Sequence, residues 1–272
     1  MTATDGRRDG PSRGLPDRRG VVGIPISTVR PDDVLDVVGA EVSVDRAHTV
    51  VFCNVHSVMS ARRDPRLREA LVAADLACPD GMPLVWMLRH RHGLSQPRVY
   101  GPDLMTLGLQ RGVEHGWRHF LMGATDTTLE RLEAAVGRSA PGVQIVGRLA
   151  PPFRPLTAVD DAEICAAIRD SGADVVWVGL GMPKQELWMH RVRGELPGVT
   201  LLGVGAAFDL LSGVVPQAPP WLQDRGLEWA YRLWQEPRRL WRRYLVNNPA
   251  FAVLALVELI AARVGRRRLG RQ

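Results

Sequence analysis

Asp80 stands in the stretch "ACPDGMPLVW", directly after a short apolar run and directly before a helical pattern. A carboxylate there has two uses. It can close the first turn of the helix as an N-cap or Asx turn, or it can act as a general base that takes a proton from a sugar hydroxyl. Asn54, which ends "TVVFCN", offers a similar choice between a helix cap and a donor to a ligand. Arg98 in "PRVYGPDL" is either a surface cation or a clamp for a carboxylate or phosphate, a task that suits the planar fork of a guanidinium. In "VGLGMPKQELW", residues 178–188, Gly179 and Gly181 precede the chain's only lysine, Lys184. Glycines permit close backbone approach and a helix start presents free N–H groups, which together suit the diphosphate of a nucleotide. An ordinary strand-to-helix turn with a solvated lysine reads the same way. Arg232, Arg239 and Arg242 recur at helical spacing among Trp229, Trp234 and Trp241. Arginine with tryptophan suits a nucleic acid, a lipid headgroup surface or a pyrophosphate leaving group, and it also suits an amphipathic helix pair with a charged face.

These residues need elements to hold them. From about residue 21 to 220, continuous apolar runs alternate with amphipathic stretches: "TVVFCN" at 49–54, "RHFLMGA" at 118–124, "GVQIVGRL" at 142–149, "ADVVWVGLG" at 173–181 and "GVTLLGVGAAFD" at 198–209. Apolar strands with helical crossovers predict a Rossmann-like α/β body, a mostly parallel sheet with helices on both faces. Ligands of such sheets bind beyond the carboxyl ends of the strands. Asn54, the "PDG" that contains Asp80, and the "GATD" that begins at Gly123 all fall there. Past residue 220 the strands stop, and three helices are expected, with Pro237 and Pro249 opening the last two.

The formal charge of +6 is unevenly spread over the 272 residues. Residues 223–272 hold 11 arginines against 4 acidic groups, and residues 21–222 are mildly acidic. The first twenty residues have charge, Gly and Pro without an apolar run, so they read as a disordered leader, 1–20. The expected organisation is therefore this leader, a catalytic domain at 21–222 and a basic helical appendage at 223–272. Residues 250–264, a 15-residue apolar run interrupted by Glu258, fall short of the roughly 20 residues a spanning helix needs. An interfacial position on an anionic membrane or a protein contact remains. Cys53, Cys78 and Cys165 form no CxxC pair, which favours a reducing cytoplasm and gives no zinc site. The absence of GxGxxG and Walker lysine motifs argues against a dinucleotide oxidoreductase.

Taken in order, the Asn after the first long strand, "ADL" leading to "PDG", "RVYGPDL", "FLMGA", "VGLGMPKQELW", "GVGAAFDLLSG" and "GLEWAYRL" resemble the WecG/TagA/CpsF family of bacterial glycosyltransferases. The resemblance implies inverting transfer of a sugar, typically N-acetylmannosamine, from a UDP-sugar donor to a polyprenyl-diphosphate-linked acceptor. It places Asp80 on the proposed catalytic base and Asn54, Arg98 and Gln185 on site positions. It also places Arg232, Arg239 and Arg242 on the arginines of an appendage that closes over the site at the membrane. Lys184 belongs to the same "PKQE" signature, and Gly123 and Gly181 belong to the strand ends around it. Two departures concern the donor sugar: Phe52 where the family commonly has Thr, and Gln217 where "RAP" is usual.

The expectations that follow are catalysis without a metal or other cofactor and an anionic membrane surface as a partner. The protein is placed on the inner face of the cell membrane, peripherally. No nucleic acid is expected, and a homo-oligomer is left open. The competing readings are a non-catalytic assembly factor on the same fold and a nucleic-acid-binding protein that uses the Arg/Trp tail.

Overall fold

The computed structural model describes residues 15–39 and 45–269, with the side chains of Arg239 and of residues 265–269 outside the description. Most of the expected leader, residues 1–14, lies outside the described residues. Its end is corrected: Arg18–Val21 form strand β1, which pairs antiparallel with β2 (Ile24–Ser27). The turn between them places Val22 at φ 50° and Gly23 at φ 80°, the left-handed pair that a tight hairpin needs. A β-branched residue resists that conformation. Val22 is held there by its N–H, which donates to Glu258 at 3.1 Å, and by its carbonyl, which accepts from Arg62 at 3.1 Å.

After α1 (Pro31–Gly39) the chain runs through β3 (His48–Cys53), α2 (Val55–Ala61), α3 (Pro65–Ala73), β4 (Leu76–Pro79), α4 (Met82–His92) and α5 (Gly101–His115). It continues through β5 (Arg118–Gly123), α6 (Asp126–Ser139), β6 (Gln144–Leu149), α7 (Ala158–Ser171), β7 (Val175–Gly179), α8 (Lys184–Val192), β8 (Thr200–Gly203) and α9 (Ala207–Leu211). Strands β3 to β8 form one parallel sheet in the order β4-β3-β8-β7-β5-β6, the Rossmann-like body expected.

Because side chains alternate across a strand, an uninterrupted apolar run feeds two cores at once. Val51, Cys53, Ala77, Phe120, Met122, Val176 and Val178 face one of them, packed under α2, α3, α4, α7 and α8. Val50, Phe52, Cys78, Leu121, Val175 and Trp177 face the other, under α1, α5, α6 and α9. The three cysteines are buried and unpaired.

Beyond the body lie α10 (Pro220–Asp224), α11 (Glu228–Gln235) and α12 (Pro237–Leu269). The first expected helix is split in two, with Gly226 at φ 69° between the parts. Pro237 opens α12 as expected, but Pro249 sits inside it and does not begin a new helix. Proline removes one helical hydrogen bond. The residues on either side of it are fixed on the body. Buried Asn247 accepts from Arg63 at 2.8 Å and lies 3.0 Å from His56 Nδ1, and buried Phe251 joins the core beneath. Two turns later, Glu258 pairs with Arg91 of α4 at 2.8 Å.

This continuity also corrects the length of the apolar stretch. Leu240–Val264, 25 residues, is long and apolar enough by length and composition to cross a membrane, and it is the one such stretch among the described residues. One face of the helix is nevertheless occupied by the body, while Leu245, Val246, Val253, Leu256, Val257 and Ile260 are exposed.

Candidate functional site

β3 and β8 lie side by side, yet the chain leaves β3 toward β4 on one side and reaches β8 from β7 on the other. Such a switch point opens a crevice beyond the carboxyl ends of the strands. Around it the structure gathers Asn54 after β3, Asp80 after β4, Gly123 at the end of β5, Gly179 to Gly181 after β7 and Gly205 after β8. Gly123 has φ 134°, and a Cβ there would lie 2.5 Å from the Gly179 carbonyl carbon, so the ends of β5 and β7 touch. Gly123→Ala is expected to cost about 1–3 kcal/mol of stability. A urea midpoint equal to that of the parent protein would refute this close approach.

A cleft of about 440 Å³ opens between this edge and the C-terminal helices, with Asn54, Asp80, Arg98, Glu228 and Arg232 in its wall. Asp80 is not a cap: the N-cap of α4 is Gly81, which makes no side-chain bond. The Asp80 carboxylate lies 3.6 Å from Arg98 Nη2, and its Oδ1 has no hydrogen-bond partner among the described residues. Burial, with Glu228 adding to it and Arg98 and Arg232 opposing, pushes the carboxyl up to about 6. That is a carboxylate still ionised at neutral pH yet more basic than a solvated one.

Arg98 is clasped on several sides. Its Nε donates to the Asp80 carbonyl, its Nη2 donates to Glu228 Oε2 at 2.7 Å, and its Cζ sits 3.9 Å above the Tyr100 ring. The Tyr100 hydroxyl donates to the other oxygen of Glu228 at 3.1 Å. A carboxylate from α11 thus joins the appendage to the edge of the sheet that carries Asp80.

Asn54 takes the capping role. Its Oδ1 accepts from the N–H groups of His56 and Ser57 and caps α2. Asn54 also lines the cleft.

The model of the glycosyl transferase WecG/TagA/CpsF family matches residues 19–265. The chain belongs to that family. It is a glycosyltransferase of cell-surface polysaccharide synthesis.

Within this WecG/TagA/CpsF glycosyltransferase, not every expected site residue reaches the cleft. Gln185 is buried and bound entirely by protein: its Oε1 accepts from the Gly181 N–H at 3.0 Å, and its Nε2 donates to the Gly203 carbonyl at 2.6 Å and to Glu186 at 3.0 Å. It braces the β7 and β8 ends against each other; it does not offer itself to a ligand. Lys184, the first residue of α8, is exposed, with Nζ 5.5 Å from the centre of the Phe153 ring and outside the cleft wall. Gly181, at φ 75°, has open space where a side chain would be.

Of the three arginines, Arg232 lines the cleft and makes no ion pair among the described residues. Arg242 is exposed over Trp241, and its neighbour Arg243 lines the cleft instead. The side chain of Arg239 lies outside the described residues. Phe52 is buried in the core on the α5 side of the sheet, 3.8 Å from where a Gly101 side chain would begin.

Glu228, His56 and Trp86 complete the wall without having stood out in the sequence. Glu228 lies within the quoted "GLEWAYRL", so the motif contained it although its pairing with Arg98 could not be read there. Among the described residues no group of three or more His, Cys, Asp or Glu side chains is placed to hold a metal ion.

Proposed function

We propose that this protein is an inverting glycosyltransferase that moves a hexose of the N-acetylmannosamine type from a UDP-sugar to a polyprenyl-diphosphate-linked sugar. The observation that carries the reading is Asp80: a carboxylate of raised basicity, 3.6 Å from Arg98 and with one oxygen that accepts no hydrogen bond among the described residues, at the switch-point edge of the sheet, facing a cleft whose opposite wall supplies Arg232. The acceptor hydroxyl gives its proton to Asp80 as its oxygen bonds to the anomeric carbon. The bond from that carbon to the UDP oxygen breaks on the opposite face, which inverts the configuration. UDP departs with a growing negative charge, and a guanidinium already in position stabilises it without reorganisation. Arginine in this role makes the reaction independent of a metal ion.

The test is UDP release by the full-length protein over a panel of UDP-sugars, with a polyprenyl-diphosphate-linked GlcNAc in detergent and EDTA present throughout. Release that requires the acceptor and one donor supports the reading. Release only after a divalent cation is added would overturn its metal-free part, and no release with any donor would overturn the reading itself.

The appendage fits the inner face of an anionic membrane. α12 keeps one face on the body and presents an apolar stripe outward, Trp234 of α11 is 78% exposed, and Arg238, Arg242 and Arg263 of α12 are exposed as well. A helix so anchored lies along a surface, with the basic side chains contributing about 1 kcal/mol each near anionic lipid. Binding to anionic liposomes is expected to fall by about half or more between 0.1 M and 1 M salt, as the Debye length shrinks from about 10 Å to 3 Å. Binding indifferent to salt, or equal on neutral liposomes, would refute it.

A further inference from the structure

Away from Asp80 the cleft changes character. It continues as a groove between α4 and α12, walled by Trp86, Met87, Phe251, Ala252, Ala255 and Leu259. The residues contributed by α12 recur every three or four positions and so share one face of the helix. Tyr244 stands near the Asp80 end and Leu259 at the other, a run of about 22 Å at 1.5 Å per residue. The alanines leave room where larger side chains would fill it. Trp86 is 41% exposed although it stands in this wall. The Arg91–Glu258 pair ties the two helices together at the far end. The cavity is therefore cationic at one end, with Arg232 and Arg243, and along α4 and α12 it is walled mostly by apolar side chains, with His90 and Asn248 among them.

We propose that the groove between α4 and α12 seats the first part of the acceptor's prenyl chain, with the diphosphate at the arginine end and the sugar hydroxyl at Asp80. This rests on the glycosyltransferase reading above and extends it to the hydrocarbon. The charge distribution selects the occupant: a molecule with an anionic head, a reactive end and a linear apolar tail matches the order of surfaces along the cleft. A buried apolar helix from a second chain would leave Arg232 facing no anion. Burial of the tail would also explain how the enzyme aligns a lipid-borne hydroxyl with Asp80, since each buried CH2 adds affinity at a fixed distance from the head.

The experiment uses the full-length protein and a benzophenone-bearing prenyl diphosphate, cross-linked by light and mapped by peptide mass spectrometry. Labelling is expected in residues 82–92 and 251–259, and an unlabelled prenyl diphosphate should compete it away. Ala252→Trp and Ala255→Trp, each checked for a parental melting curve, should reduce labelling about tenfold by filling the groove. In the UDP-release assay the parent protein should prefer a long-chain over a short-chain acceptor by at least about tenfold in KM. That preference should collapse toward one in either variant.

Labelling confined to other surfaces, or a parent protein blind to chain length, would overturn the groove assignment and leave the transferase reading standing. Competed labelling in the groove with no UDP release from any donor would do the opposite. It would support a lipid-chain site and remove the reaction proposed for it.

Discussion

Asp80→Asn is expected to lower kcat by about a hundred- to ten-thousand-fold, the usual contribution of a positioned general base, with the donor KM little changed. Asparagine keeps the volume and loses the proton acceptor. Because Asp80 is raised to about 6 in the folded protein, folding disfavours its charged form. The stability associated with that shift is full below the unfolded carboxyl's pKa and is lost as pH rises through 6. The neutral amide should therefore fold at least as well at pH 7, so a fall in activity cannot be ascribed to unfolding. The parent enzyme's pH profile should carry the complementary sign: the base works only when ionised, so kcat/KM climbs as pH rises through about 6 and then levels off. An enzyme equally active at pH 5 and pH 8, or an asparagine variant with parental kcat, would remove Asp80 from the chemistry.

Glu228→Gln should produce the second-largest change. Glu228 shares Arg98 with Asp80, from 2.7 Å against 3.6 Å, and it is one of the groups that keep Asp80 basic. Without its charge, Arg98 acts on Asp80 alone and the pKa of the base falls. A weaker base abstracts the proton more slowly, and loss of a charge-assisted bond worth about 1.5–3 kcal/mol loosens α11 as well. The expected outcome is about a tenfold or larger loss in kcat/KM. The acid limb of the profile should also move to lower pH. A purely structural role would lower the rate and leave the limb where it was, so the limb is the deciding measurement.

The sheet was legible because its strands are uninterrupted apolar runs, and such runs have few other stable placements than between two layers of helices. The hairpin β1–β2 was not legible: Arg18, Arg19 and Gly20 look like solvated chain, and they form a strand held by residues far away, with Arg18 donating to the Val72 carbonyl, Arg91 donating to the Gly20 carbonyl, and Glu258 accepting from Val22 in the turn that follows. Pro249 misled for a similar reason. Its local preference is to open a helix, and it was overridden by the anchoring of Asn247 and Phe251 on either side. The exchange of Arg242 for Arg243 in the cleft wall is a shift of one residue, about 100° around a helix, which spacing cannot resolve when the break at Pro237 leaves the phase undetermined. Gln185 was read from a motif shared by a family, and a motif records that a residue is needed without saying whether it touches the ligand or holds the residues that do. Glu228 was hidden because its partner is 130 positions away.

The bond between Val22 and Glu258 spans 236 residues. During synthesis, at roughly 5–20 residues per second, the hairpin and the sheet leave the ribosome well before α12 exists. Until then α2 and α4 lack the cover that α12 gives them, and the cleft beside Asp80 lacks the part of its wall that α12 supplies. α12 is therefore made after the elements it covers, and the cleft takes its final shape only when that helix docks on α2 and α4.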